Sequence, residues 1–473
     1  MSITPPVERA VTDTSLSSRQ TEGVETLLGD PKKAIFKLGL PMIVGMSMQT
    51  LYNLADAIWV SGLGPNALSA VGFFFPFFMV VISLSVGLGA GGGSAVSRYI
   101  GRRNKQYADR VAAHTFVCMV ILTVLFTMPF VLLCKPIFSA MGAGKALGMT
   151  VSYARIMFGG SVFVFFLHTS MALLRAEGDA KRPMYLLFCG SILNIILDPI
   201  FIYTFNFGVA GAAVASILSM GCTSLVLFYW VFVKSSTYVT IRFKGFSFRK
   251  RILAEILKVA IPSSFAQISM SVMMFFLNRI LVLVSSNSGV AVLMTGWRIV
   301  MIANLPIIGM ATALISIAGA AFGAKDYNKL ETTYLYALKT GILIESLLGT
   351  VTFIVAPYIT RLFTWSEHSA VLFDDIVQFV RIMCFFYPAA ALGIFSSSLF
   401  QGVGKGINAF VITLFRTIIL TVPLAWLFGI VLEGNLRGVW FGMLTGTWVA
   451  VLFAFGWVRL YILQLKSRSM TNR

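Results

Sequence analysis

Asp56 and Asp198 are the residues in this chain best placed to do chemistry. The first sits in Leu51-Tyr52-Asn53-Leu54-Ala55-Asp56-Ala57-Ile58-Trp59, inside an apolar run from about Ala34 to the Gly62/Gly64 turn. The second sits in Asn194-Ile195-Ile196-Leu197-Asp198-Pro199-Ile200, inside a run from about Lys181 to Tyr203. At mid-membrane depth an ionisable side chain costs about 2.5–3.5 kcal/mol on insertion scales, and it is retained in pumps and transporters where it relays protons or ions. Tyr52 and Asn53 precede Asp56 by four and three residues, and Asn194 precedes Asp198 by four, spacings that place each set on one helix face. Ser216 lies at a similar depth in the next apolar run. Pro199 removes one helical hydrogen bond and frees the carbonyl of Ile195. Two carboxylates, two amides, a hydroxyl and a loosened carbonyl oxygen suit a shared proton, or a dehydrated Na⁺ held by Asp56, Asp198 and Asn194. Two such acids side by side titrate as a coupled pair.

The elements that must hold these residues follow from composition. Of 473 residues, 58% are hydrophobic and 12% charged, where a soluble chain carries about 25% charged. Twelve apolar stretches long enough to span a bilayer are legible: 34–61, 66–94, 111–134, 150–174, 181–203, 209–234, 253–284, 290–322, 328–360, 374–399, 406–430 and 436–463. The net charge of +19 gathers at alternate connections. Arg98, Arg102, Arg103, Lys105 and Arg110 follow the second span, and Arg175, Lys181 and Arg182 follow the fourth. Lys234, Arg242, Lys244, Arg249, Lys250, Arg251 and Lys258 surround the sixth-to-seventh connection. The stretches 62–65, 204–208 and 285–289 carry neither Lys nor Arg. Basic residues mark the cytoplasmic side, so both termini are expected there, in a multi-pass protein of the plasma membrane. The same placement removes nucleic acid as a partner and leaves membrane lipids in its place.

The two halves repeat. Leu40-Pro41 returns as Ile261-Pro262, Ile100-Gly101-Arg102-Arg103-Asn104 as Phe322-Gly323-Ala324-Lys325-Asp326, Arg155-Ile156-Met157 as Arg381-Ile382-Met383, and Gly211 and Trp230 as Gly438 and Trp457. Six spans per half give both halves the same orientation, hence an axis along the membrane normal and two lobes facing a central cavity. The expected division is a mobile cytoplasmic tail (1–29), an N-lobe (30–234), a lobe linker (235–252), a C-lobe (253–465) and a second tail (466–473). Under the repeat Asp56 falls opposite Leu277, Asn194 opposite Leu420 and Asp198 opposite Leu424. Since the fold accepts Leu at those depths, the polar set points to function.

Other chemistries fare poorly. Five Cys without paired spacing, and three His (114, 168, 368) with no His-Glu-x-x-His, give neither a disulfide framework nor a zinc site. Gly87-Leu88-Gly89-Ala90-Gly91-Gly92 matches a dinucleotide pattern by letter only; inside a span, small residues serve close helix packing. No Walker A sequence occurs, so no nucleotide and no other cofactor is expected. The chain is not read as an enzyme: membrane aspartyl proteases, which also bury two Asp, resemble one another in Gly-x-Gly-Asp, whereas Asp198 follows Ile-Ile-Leu. The structural alternative for the acids is neutralisation by Arg155. Pro41 and Pro199 are hinge candidates, although Pro262 repeats Pro41 in the half without acids. Glu345, Lys339, Arg279, Arg298 and Arg416 are charges within C-lobe spans that either pair together or line the cavity.

Pro41, Gln49-Thr50-Leu51-Tyr52-Asn53-Leu54-Ala55-Asp56, Arg175-Ala176-Glu177-Gly178-Asp179, Asn194 through Pro199 and Gln401-Gly402 resemble the multidrug and toxic compound extrusion (MATE) family. The likeness covers nearly everything after residue 29 and is closest to archaeal members of the DNA-damage-inducible F branch. It implies an all-α membrane protein of twelve transmembrane helices in two pseudo-symmetric six-helix lobes. It also implies a monomeric antiporter that exports amphipathic, often cationic drugs against H⁺ or Na⁺. In that branch the residues matching Asp56, Asn194, Asp198, Tyr52 and Ser216 are tied to cation coupling, and the one matching Pro41 to bending of the first helix. Ser216 stands where Thr is common. The buried acids of the other major branch are lacking, since Glu255, Asp374 and Asp375 lie only where helices begin. Flippases of lipids or lipid-linked saccharides share the architecture and are the alternative cargo class.

Overall fold

A computed structural model describes residues 21–241, 243, 246–364 and 370–471, the side chains of 286 and 287 excepted. Arg242, Lys244, His368 and the expected tail residues 1–20, 472 and 473 lie outside them. Among the described residues ten helices are long and apolar enough to cross a membrane, and two bent pairs, each taken as one span, bring the number to twelve. The spans in order are Pro31–Ser61, Pro65–Gly101, Lys105–Ala140, Leu147–Gly159 with Ser161–Ala176, Lys181–Pro199 continued as a π-turn through Thr204, and Gly208–Phe228. A second set follows in one helical backbone from Lys250 to Ala303, in which Lys250–Ser285 is the seventh span and Ser288–Ala303 leads, past Asn304, into Leu305–Gly323. The expected loop at 285–289 is therefore helical. Tyr327–Phe363, Phe373–Met383 with Phe386–Gly402, Gly406–Leu414 continued to Val431, and Asn435–Thr471 complete the set.

The sequence repeat is a repeat of backbone devices. Arg103 and Lys325 both turn the chain with positive φ, 56° and 58°. Asn104 then caps the third span by accepting from Tyr107 N at 3.1 Å, and Asp326 caps the ninth by accepting from Lys329 N at 2.9 Å. The fourth span breaks by 43° after Arg155-Ile156-Met157, and the tenth by 50° after Arg381-Ile382-Met383. A π-turn at Ile200–Thr204 recurs at Leu427–Val431. Gly211 and Gly438 let the next helix cross directly over the carbonyls of Phe201 and Phe428. The added residue of a π-turn is what Pro199, lacking an N–H, prepares in the first copy.

Small residues set the helix distances. In the second span, Gly87 and Gly91 meet Ala260, Ser264 and Ile256 of the seventh; Gly89 and Gly93 meet Ala172 of the fourth; and Gly92 meets Thr115 of the third. This is the close packing expected of that glycine run. The two halves meet along a seam near the ends that carry the basic residues: Gly101 on Ala320, Gly323 on the carbonyl of Arg98, and Gly319 against Ser97. Arg98, itself buried, donates across the seam to the carbonyl of Gly402 (3.3 Å), and Tyr99 donates to Glu255 (3.1 Å).

Part of the tail expected to be mobile is docked, and so is the linker. Glu22–Leu28 forms a short helix, α1, capped by Thr21 and with Val24 and Leu27 buried, so this part of the predicted mobile tail is packed structure. It joins both halves. Glu22 pairs with Lys37 (2.9 Å) and Lys181 (3.6 Å), while Lys329 of the ninth span donates to the carbonyls of Leu27 (3.2 Å) and Leu28 (2.6 Å). A seven-residue helix has no stability of its own, so its order comes from docking. Truncating the fully buried Leu27 removes part of that docking, on the scale of about 2–5 kcal/mol for a buried Leu. Leu27→Ala is expected to speed proteolysis within α1 at least tenfold while the spans stay intact; unchanged cleavage would show that α1 is held by something else.

Three side chains of the first half accept hydrogen bonds from the backbone of the linker. Asp109 accepts from Thr240 N (2.8 Å), Glu177 from Val239 N (2.9 Å) and His114 Nε2 from Arg249 N (2.9 Å). Glu177 follows the fourth span, and burial pushes its carboxyl up to about 8 against the pull of the Val239 N–H. Because the folded chain holds that proton more tightly than the unfolded one, the stability tied to Glu177 is full below about 4.5 and is lost as pH rises through about 8. Glu177→Gln is expected to flatten thermal stability across that window. An unchanged slope would remove Glu177 as its source.

Candidate functional site

Four spans bring the polar set together. Tyr52 and Asp56 come from the first, Asn194 and Asp198 from the fifth, Ser216 from the sixth, and Tyr153, which the sequence reading passed over, from the first segment of the broken fourth. Asp198 is fully buried, and Asn194 and Ser216 nearly so. In the amide orientation that satisfies both neighbours, Asn194 Nδ2 donates to Asp198 Oδ2 at 2.9 Å, and its Oδ1 accepts from Ser216 Oγ (3.3 Å) and Ser216 N (3.2 Å). Asp198 Oδ1 has no hydrogen-bond partner among the described residues. Asp56 is half-buried and within electrostatic reach of Asp198, and the Tyr52 hydroxyl lies beside Ser216 and within reach of both acids. The buried Tyr153 faces both acids and Tyr52, its ring set edge-on against Phe74 at 5.3 Å.

Asn53 does not join them. It is exposed and makes no side-chain hydrogen bond among the described residues. One residue is a turn of about 100°, so Asn53 is carried off the face that Tyr52 and Asp56 share four residues apart. Neutralisation by Arg155 does not occur either: that side chain is exposed and near Cys134, and no Lys or Arg pairs with Asp56 or Asp198 among the described residues.

Pro41 sits within a first span that runs unbroken from Pro31 to Ser61. Gly39 and Gly45 flank it where that span touches Met310 of the eighth and Leu187 of the fifth. At the other end, Tyr203 of the π-turn donates to the carbonyl of Trp59 at 2.6 Å. The helix bearing Asp56 is thereby tied to the one bearing Asp198.

In the second half Leu277, opposite Asp56, is a core residue with no exposed surface. Glu345, Lys339, Arg279, Arg298 and Arg416 form no ion pair with one another among the described residues. Lys339, Arg279 and Arg298 are exposed, Arg416 lies against Gly393, and Glu345 is fully buried.

A helical membrane protein with a repeated six-span unit and an unpaired acid pair in one half is the architecture of a transporter. The model of the MatE family matches residues 41–200 and 262–427. A MATE crystal structure in complex with MaL6 is 46% identical, with a TM-score of 0.93, covering 94% of this chain and 100% of that one. Equally identical, at TM-score 0.91, is a structure titled "Reverse polarity of binding pocket suggests different function of a MOP superfamily transporter from Pyrococcus furiosus", covering 94% and 99%. Among curated proteins the multidrug export protein MepA of Staphylococcus aureus is 25% identical over 81% of this chain and 84% of its own length. This chain belongs to the MATE family of transporters.

Proposed function

We propose that this protein is a secondary antiporter that exports amphipathic, often cationic drugs in exchange for H⁺ or Na⁺, with Asp56 and Asp198 as the coupling carboxylates. The observation that carries this reading is the fully buried Asp198 with one oxygen unpartnered and, among the described residues, no Lys or Arg paired with it. A carboxylate taken out of water without a counter-charge is costly, and a bound proton or small cation offsets that cost.

Asn194 gives the pair a two-position relay. With Asp198 charged, Nδ2 donates to it and Oδ1 accepts from Ser216. Once Asp198 takes up a proton its O–H can donate to Oδ1, and the amide, turned over, donates instead to Ser216 Oγ at 3.3 Å. Both arrangements need no backbone movement, so loading is signalled to the sixth span by an amide rotation. Tyr52 and Tyr153 close the site, and Na⁺ would draw on Asp56, Asp198, Asn194 and Ser216.

The tails, the halves 30–234 and 253–465 and the linker 235–252 are the units of alternating access, with Pro41 and Pro199 as the points where the site-bearing helices bend. Placing the basic face and both termini in the cytoplasm makes the seam the closed inner gate. The kinship with a multidrug export protein supports drugs as cargo for a monomer in the plasma membrane. Each inward charge gains about 2.3 kcal/mol per 100 mV.

Proteoliposomes given separate proton and sodium gradients test this. Export of a cationic dye should follow one gradient, and an Asp56→Asn/Asp198→Asn double variant that still follows it would end the reading. A second cargo class, lipids or lipid-linked saccharides, draws on a cavity of about 490 Å³ on the face opposite the seam. Arg381 and Arg437 line it together with Asp374, Asp375 and the rings of Phe353 and Phe441, so the two guanidiniums would have to outweigh two carboxylates to hold a phosphate-bearing amphiphile. A fluorescent lipid in the same vesicles distinguishes the two.

A further inference from the structure

Glu345 lies at the middle of the ninth span, about 27 Å from its first residue at 1.5 Å per residue. It is fully buried, and among the described residues neither of its carboxylate oxygens has a hydrogen-bond partner. Its titratable neighbours come from the tenth span. Tyr387, also fully buried, points a hydroxyl without a hydrogen bond into the same region beside Thr352. Cys384 lies one turn back, and Arg381 reaches only as far as Cys384, its guanidinium 5.2 Å from the Phe353 ring centre. From the other packed spans, Arg279, Arg298 and Arg416 make no pair with Glu345, and neither does Lys339 of its own span.

Two further observations make this more than a stray acid. The group sits against the break of the tenth span, where Phe373–Met383 and Phe386–Gly402 meet at 50° around Cys384 and Phe385. Gly349, one turn beyond Glu345, brings the ninth span so close that a Cβ there would stand 3.0 Å from the carbonyl of Cys384. Counting from the matched caps Asn104 and Asp326, the repeat partner of Glu345 is Thr123, whose hydroxyl is satisfied by the Met119 carbonyl at 2.8 Å. The fold does not require an acid at this depth.

We propose that Glu345, with Tyr387 and Thr352, is a second proton-binding site, in the half that lacks the aspartates, and that it exchanges its proton when the tenth-span break moves. One carboxyl and two hydroxyls supply too few oxygens for a hard cation, which takes about six; a proton needs one. The step is a reversible O–H bond at a carboxylate oxygen, the proton coming from and returning to water. This deepens the antiport reading and rests on it for its role in transport, though not for the binding itself.

Proton uptake by the full chain in lipid nanodiscs, followed with an indicator dye between about pH 5 and 9, tests it. Glu345→Gln should take up one proton fewer per chain than wild type, Glu345→Asp should restore it, and Asp56→Asn/Asp198→Asn should keep it. Dye export by Glu345→Gln should fall about tenfold at equal protein level. An unchanged proton count in Glu345→Gln overturns the proposal, and so does expulsion of the proton by added sodium, which would make the site a sodium site. A lower melting temperature with an unchanged count would reduce Glu345 to a packing residue. If instead the double aspartate variant still couples, the N-half reading falls while the Glu345 proton stands or falls on its own count.

Discussion

Asp198→Asn is expected to abolish coupled export, lowering the gradient-driven rate at least about 100-fold, while the protein accumulates to wild-type level and melts no lower. The amide has the volume of the carboxyl and can still accept from Asn194 Nδ2, so the fifth and sixth spans keep their contact. What it lacks is a proton that comes and goes. Removing a buried, unpaired charge also removes a desolvation cost of several kcal/mol, hence the expected gain, or at least no loss, in thermal stability. Asp56→Asn should lose export equally but gain less stability, because that side chain is only half-buried. Drug resistance in an efflux-deficient host and dye transport in vesicles read the first effect; thermal unfolding reads the second. Full resistance with either variant would separate the acids from coupling.

The second large effect is expected at the seam. A Cβ on Gly101 would lie on the backbone of Ala320, and one on Gly323 on the carbonyl of Arg98. Neither neighbour is a flexible side-chain end. Overpacking of this kind costs about 1–3 kcal/mol, and here it falls only on the state in which the two halves meet. At 1.4 kcal/mol per tenfold, Gly101→Val should move the balance toward the parted seam by about 5- to 150-fold. Distances between spin labels across the basic face would report it. Gly72→Val, where nothing stands within 4 Å, is the control from the same helix. Equal distance distributions in all three proteins would mean that the seam does not govern the balance.

Much of this was legible in the chain because a bilayer leaves few choices. Backbone groups in hydrocarbon must bond within their own helix, so long apolar runs become spans, and the repeated turns at Arg103 and Lys325 are where the letters already matched. Asp56, Asp198, Asn194 and Ser216 were legible because polar groups in such runs need a reason. Asn53 was misread because a three-residue spacing was counted while the turn from Tyr52 was not. Tyr153 gave no signal as one aromatic among many; only the Gly159-Gly160 break that swings its helix inward could have drawn notice. Helix α1 was missed because seven residues do not hold a helix alone, although Val24, Leu27 and Leu28 stand at helical spacing after a Thr cap. The partnerless state of Glu345 depends on which residues surround it in three dimensions, and linear order does not contain that.

Where backbone lies on backbone at Gly101 and Gly323, there are few rotamers to freeze on contact and few to recover on parting. In a two-state gate built on this contact, a ligand shifts the balance by no more than its difference in affinity for the two states. On the antiport reading proposed above, a gate trimmed of side chains asks of the coupling ion no more than that difference.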